Sequence, residues 1–396
     1  MKLKERIQEL AKANHENVVG IRHHLHAHPE LSFKEFETSK FVAKELERVG
    51  VEFETGYVET GIVALIKGRN PESKITALRA DLDALPINEL NDKPYKSKNE
   101  GVMHACGHDV HTASLLGAAN ILNQVKDDFE GTVKLIFQPG EERLPGGASL
   151  MIKEGALENP TPTSIIGQHV YPQLEAGKVG MRPGMYMASA DEIHVTVRGK
   201  GGHAALPHNC IDPVVITAHI IVALQQVISR RTKPGNPSVL TFGRVIADGA
   251  TNIIPDEVTL QGTFRAMDEE WRLEAHRILK KMAEQMAEAM GGSCDFEVRM
   301  GYPCVINDEA LTNHSFAAAE DYMGKENVVL LEPRMTGEDF SYYSQMMPGC
   351  FYRLGTGNKE MGITSGVHMP TFDIDESALE IGSGLMAWLA VSALKG

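Results

Sequence analysis

ITALRA (75–80), HTASLLGAANILNQV (111–125) and TVKLIF (132–137) follow one another as strand-like, helix-like and strand-like runs, with IVALIK (62–67) ahead of them. The short runs are apolar and carry β-branched residues, whereas the longer one repeats its apolar side chains at helical spacing. Strands alternating with helices favour an α/β fold with a mainly parallel sheet, whose ligands gather beyond the carboxyl ends of the strands. Asp81, Glu141 and His169 fall at such ends. Ahead of the first strand, Ser32 and Glu35 have the spacing of a capping box. Phe36, Phe41, Val42, Leu46 and Val49 then recur as a helix until Gly50.

From about residue 191 the pattern changes. EIHVTVRG, a helix over 213–231, SVLTFGRVIA, EVTLQGTFRA, a helix over 269–290 and CDFEVRMG give the order βαββαβ, the signature of a ferredoxin-like domain. Helix and strand alternation resumes after Tyr302. A chain of 396 residues exceeds the size at which single cores stop growing. The expected organisation is therefore a discontinuous domain, 1–182 with 303–396, closing around an insertion at 183–302.

The composition is that of an ordinary globular chain, with 42% hydrophobic and 23% charged residues. A net charge of -14 argues against a nucleic-acid partner. The first 26 residues are charged throughout and lack the apolar stretch of a secretory signal. No apolar run reads as a membrane span, so a cytoplasmic protein without a membrane partner is expected. Five scattered cysteines are unlike a disulfide framework.

HACGHDVH (104–111) holds three histidines, a cysteine and an aspartate within eight residues. A lone histidine is more often a satisfied core residue than a ligand. Here, however, ligand-type residues also stand at strand ends or in glycine-rich loops: Glu141 and Glu142 in FQPGEE, His169 in IIGQHV and His368 in SGVHMP. Imidazole and thiolate suit borderline ions such as Zn, with Mn, Co and Ni as further candidates. Adjacent glutamates point apart, so one can bind metal while its neighbour reaches an attacking water. A metal hydrolase is the expectation.

RHHLHAHPELSFKE (22–35), LRADLDALP (78–86), MHACGHDVH (103–111), FQPGEE (137–142), GGHAALPH (201–208), NIIPDEVTLQGTFR (252–265) and GVHMP (366–370) occur in that order. Together they resemble the M20 peptidase-like dinuclear-metal amidohydrolases, in the branch of hippurate hydrolases, auxin-conjugate hydrolases and N-acyl-amino-acid deacetylases. The resemblance spans nearly the whole chain. It implies an exopeptidase-like catalytic domain with an inserted lid and dimerisation domain, and hydrolysis of N-acyl amino acids to a carboxylate and a free amino acid. It also implies two divalent metal ions per subunit, zinc or manganese, with Cys106, His108, Glu142, His169 and His368 as ligands.

Under the same resemblance Glu141 is the general base and acid, and Asp81 orients a ligand. His203 supplies an oxyanion donor, across a homodimer in this family. Arg265 is the candidate grip on the substrate's α-carboxylate, with Asn252 beside it in the substrate-binding set. Arg79 stands where the broader family has a histidine ligand, and Cys106 is the apparent replacement. The histidines at 23, 24, 26 and 28 read as structural, and GEDF (337–340) as a helix cap. Within the superfamily a dipeptidase or carboxypeptidase is the alternative. A metal-dependent binding protein with a dead site is a further one, against which the intact Glu141 speaks.

Overall fold

In a computed structural model of the chain, which describes residues 2–395, the strand-like runs form Gly61–Lys67, Ile75–Asp81 and Thr132–Gln138. Among the described residues they belong to an eight-stranded sheet. Its spatial order is Glu52–Tyr57, Gly61–Lys67, Thr132–Gln138, Ile75–Asp81, Ser164–Glu175, Gly349–Gly357, Val179–Met181 and Val328–Leu330. The four central strands, from Thr132–Gln138 to Gly349–Gly357, pair in parallel. Glu52–Tyr57 and Gly61–Lys67 add an antiparallel edge. Parallel pairing puts the carboxyl ends of Ile75–Asp81 and Thr132–Gln138 side by side, with Asp81 in register with Gln138. The mainly parallel α/β sheet is as the sequence predicts.

Helices Leu3–Ala27, His108–Gln124 and Ala378–Lys395 pack together in the core of this unit, through Ile7, Val18, Leu115, Leu122, Leu385 and Leu389. Two helices, Pro213–Arg231 and Ala378–Lys395, are long and apolar enough to cross a membrane when hydropathy is averaged over 18 residues, although uninterrupted apolar runs fall short. The second of them is largely buried in this core. The capping box does not form. Glu35 is the N-cap of Phe36–Arg48 without a side-chain bond to it, and Ser32 Oγ instead donates to Asp83 Oδ2 at 2.6 Å.

The chain divides into two units. The first comprises Met1–Gly184, Ile306–Glu332 and Asp339–Gly396, and the second Met185–Val305 and Pro333–Glu338. The expected edges at 182/183 and 302/303 thus shift by two or three residues, and 333–338 returns to the second unit. That unit is a four-stranded antiparallel sheet in the order Ser238–Ala247, Glu257–Ala266, Asp191–Arg198, Ser293–Arg299, covered by Pro213–Gln226 and Glu269–Ala289. Alternation along Asp191–Arg198 sends Ile193, Val195 and Val197 inward against Ile216, Ile220, Leu224, Leu279 and Ala283. The βαββαβ order holds.

Candidate metal centre

Gly107 starts the site. At φ +87° it turns the chain into the helix His108–Gln124, and a Cβ there would lie 2.6 Å from Val170, so glycine meets both the conformational and the steric demand. The turn sets Cys106 Sγ 3.4 Å from His169 Nε2. Among the described residues five groups of side chains could hold a metal ion, and two of them contain Cys106: Cys106 with His108 and His169, and Cys106 with Glu142 and His368. Cys106 belongs to both. All five residues lie in the first unit.

The imidazoles are oriented by their other nitrogens. His169 Nδ1 donates to Val170 O at 2.8 Å, leaving Nε2 toward Cys106. Burial and the Arg353 charge hold His169 well below the ordinary imidazole range, so it is neutral and able to ligate. His108 Nδ1 is 3.2 Å from Asp83 Oδ1, while its Nε2, 3.9 Å from Glu142 Oε1, is buried without a hydrogen-bond partner. Glu142 Oε1 is likewise buried and unbonded, with His368 Nε2 at 3.2 Å. Orphaned polar atoms facing one another in this way fit a cation between them.

Burial alone would lower His108, yet Asp81 and Asp83 raise it to about 10. Burial and the Glu142 and Glu141 carboxylates push the Cys106 thiol well above its usual range. A metal ion reverses that preference, because it stabilises the thiolate.

Of the other members of HACGHDVH, His111 has both nitrogens engaged. Nδ1 donates to Asp81 Oδ1 at 2.6 Å, and Nε2 accepts Val170 N–H at 2.9 Å. Asp109 faces Arg22 and His26. His104 is buried with neither ring nitrogen bonded, and burial lowers it to about 4, so it is neutral and outside both ligand groups.

Arg79 and Asp81 share one face of the strand Ile75–Asp81, and Asp83 follows two residues beyond its end. Asp81 accepts from His111 and, at 2.7 Å, from Arg79 Nη1; its distance to His108 Nε2 is 3.7 Å. Asp83, which the sequence reading passed over, is the carboxylate on His108 Nδ1. Arg79 also donates to Gln138 Oε1 at 2.9 Å and to Asp339 Oδ1 at 2.6 Å. Asp339 takes Gln138 Nε2 and Ala148 N–H as well, so it anchors the floor of the site and does not cap the helix Ser341–Ser344 as expected for GEDF.

Gly140, at φ +62°, is the second required glycine. A Cβ there would lie 2.3 Å from the Phe33 ring. It directs Glu141 and Glu142 off the strand, where Asp83 takes both backbone N–H groups at 3.0 Å. Glu141 is buried, and its Oε1 accepts Asp339 N–H at 3.4 Å.

His203, Asn252 and Arg265 lie in the second unit. Gly202–His203 pairs with Ile253–Ile254, which sets Asn252 beside His203. His203 is exposed, and its Nδ1 accepts Ala205 N–H at 3.1 Å, so the ring proton sits on Nε2. Arg265 is partly buried, and burial lowers its guanidinium. Its Nη1 reaches Ser189 O at 3.5 Å.

Residues 77–391 match Peptidase family M20/M25/M40. N-acetyl-L-cysteine deacetylase of Bacillus subtilis (strain 168) is 41% identical, over 91% of this chain and 84% of the relative. IAA-amino acid hydrolase ILR1-like 4 of Arabidopsis thaliana is 40% identical, over 95% and 86%. The solved structure of Bacillus subtilis YxeP, a dinuclear metal binding peptidase from the M20 family, superposes with a TM-score of 0.85 at 37% identity, covering 97% of this chain and 99% of that one. With a family match over most of its length and relatives this similar along nearly all of it, the chain is an enzyme of Peptidase family M20/M25/M40.

Proposed function

We propose that the chain hydrolyses the amide bond of N-acyl amino acids, releasing a carboxylate and a free amino acid, with two divalent metal ions held by Cys106, His108, Glu142, His169 and His368. The observation that carries this reading is the meeting of two ligand groups at Cys106, with a buried carboxylate, Glu141, next to one of the ligands. Thiolate with imidazoles favours zinc; manganese is the second candidate, and cobalt and nickel also suit the donor set. When bound, such ions polarise a water and the substrate carbonyl.

The chain's own groups then divide the work. Glu141 takes the proton of the attacking water and returns it to the departing nitrogen. Asp83 and Asp81 hold the histidines in register. His203 offers Nε2–H to the developing oxyanion. Arg265 grips the α-carboxylate as a planar fork, with Asn252 as an added donor. Relatives named for N-acetyl-L-cysteine and for an IAA-amino acid support an acylated amino acid as the small-molecule substrate.

A homodimer through the second unit completes the proposal. Ser238–Ala247 is an edge strand, and the helix Pro213–Gln226 exposes Val214, Val215 and Val222, the last at 74%. An unpaired edge beside an apolar helix face favours pairing with a second copy. The free cysteines and a thiolate ligand support a reducing, cytoplasmic location.

The test is turnover of acetyl, benzoyl, succinyl and indoleacetyl amino acids by zinc- and manganese-loaded protein. Glu141→Gln should abolish hydrolysis with metal content unchanged. Release of amino acids from dipeptides only, or Glu141→Gln activity within about tenfold of the parent, a loss smaller than a positioned acid-base group supplies, would overturn the reading.

A further inference from the structure

Arg22 lies in the N-terminal helix with no exposed surface. Nε donates to Asp109 Oδ2 at 3.0 Å, Nη2 to Asp373 Oδ1 at 2.8 Å and Nη1 to Glu376 Oε1 at 3.0 Å. The guanidinium also stacks over the Tyr95 ring at 4.7 Å, and the Tyr95 hydroxyl reaches Asp373. Asp109 is the residue after His108. Asp373 and Glu376 follow His368 on the same loop. A single cation therefore ties together the two stretches of chain that carry Cys106 and His108 on one side and His368 on the other.

The His368 stretch needs such a tie. His368 sits at φ +64°, a left-handed conformation that a non-glycine residue keeps only where its surroundings enforce it. Its side chain is 53% exposed, so packing on the ring does not enforce it. The backbone does: His368 N–H donates to Ala105 O at 2.7 Å, beside Cys106, and five residues on Asp373 is clamped by Arg22.

We infer that Arg22, acting through Asp373, is a positioning residue that holds His368 against the Cys106 turn and so sets the affinity of the metal position shared by Cys106, Glu142 and His368. The position formed by Cys106, His108 and His169 does not depend on the Asp373 arm of this clamp, because none of those residues lies on the loop that Asp373 holds; the Asp109 arm, beside His108, is separate. This inference rests on the proposed two-metal reading.

Zinc titration of chelator-stripped protein, followed by calorimetry against a competing chelator, separates the two binding steps. Asp373→Asn leaves Arg22 paired with Asp109 and Glu376, so it tests the clamp without stranding a buried cation; Arg22→Lys is the companion variant. In Asp373→Asn one step should weaken by roughly 10- to 100-fold, as outer-shell substitutions commonly do, with the other unchanged, and Arg22→Lys, which also alters the bond to Asp109 beside His108, should weaken that same step at least as much. His368→Ala should weaken the same step, and adding Asp373→Asn to it should have no further effect, since the group being positioned is gone. Equal weakening of both steps, no weakening, or full additivity with His368→Ala would overturn the inference. A parent protein that binds fewer than two ions would instead overturn the two-metal reading.

Discussion

Asp83 orients His108 through a 3.2 Å hydrogen bond to Nδ1 and, with the same carboxylate, fixes the backbone N–H groups of Glu141 and Glu142. One buried anion thereby aligns a proposed ligand, the proposed base and a second proposed ligand. Asp83→Asn keeps the shape but must turn its amide nitrogen toward one of these donors. Metal affinity should fall by roughly 10- to 100-fold, and kcat should fall with it at saturating metal. Zinc competition titrations and kinetics at excess metal check the two effects separately. Unchanged values would remove Asp83 from the site.

Cys106 stands in both ligand groups, whereas His169 and His368 stand in one each. Cys106→Ser should therefore lower occupancy at both positions, since a hydroxyl is a far poorer soft ligand than a thiolate. His169→Ala and His368→Ala should each deplete one. Elemental analysis after dialysis against a weak chelator distinguishes these patterns, and loss of a single ion in Cys106→Ser would contradict a shared ligand.

The parts legible in the sequence are those with a local signature. Periodicity gave the strands 61–67, 75–81 and 132–138, and spacing gave the inserted βαββαβ unit, because both depend on side chains near one another along the chain. Ligand-type residues such as Cys106 and His108 stood out by chemistry. What was hidden is the supporting shell. Arg79 meets Asp339 across 260 residues, and Arg22 meets Asp373 across 351, so nothing local marks those pairs. The Ser32 and Glu35 spacing misled because both side chains are drawn into tertiary bonds, with Asp83 and with the backbone of Gly140. The alternate spacing of charges at 79, 81 and 83, running through the strand and just past its end, was the available signal for Asp83.

Glu35 gives a pH prediction. Burial and the nearby Asp83 charge raise its carboxyl from 4.5 to about 7. A carboxyl raised on folding binds a proton more tightly in the native state, so the unfolded state holds fewer protons between those values. Stability then falls as pH rises from about 4.5 to about 7. Glu35→Gln can still accept from Phe33 and Gly140 N–H, and Thr60 Oγ1 can turn to accept from its amide. The variant should lose this part of the pH dependence and gain in melting temperature over the parent above pH 7. Parallel melting curves for the two proteins across that window would contradict the assignment.

His203 belongs to the second unit, whereas the proposed ligands and Glu141 belong to the first. Removing an oxyanion donor commonly lowers kcat by about 10²- to 10³-fold, so His203→Ala should lose turnover with both ions retained. In the proposed homodimer, an Nε2–H donor reaching the neighbouring subunit's site makes the two losses complementary. A heterodimer of Glu141→Gln and His203→Ala chains then contains one site with an intact base and an intact donor, and the other with neither. Co-expressed, differently tagged chains purified through both tags should recover activity that neither homodimer has. Purified heterodimers as inactive as their parents would exclude donation across the dimer and leave His203 acting within its own chain.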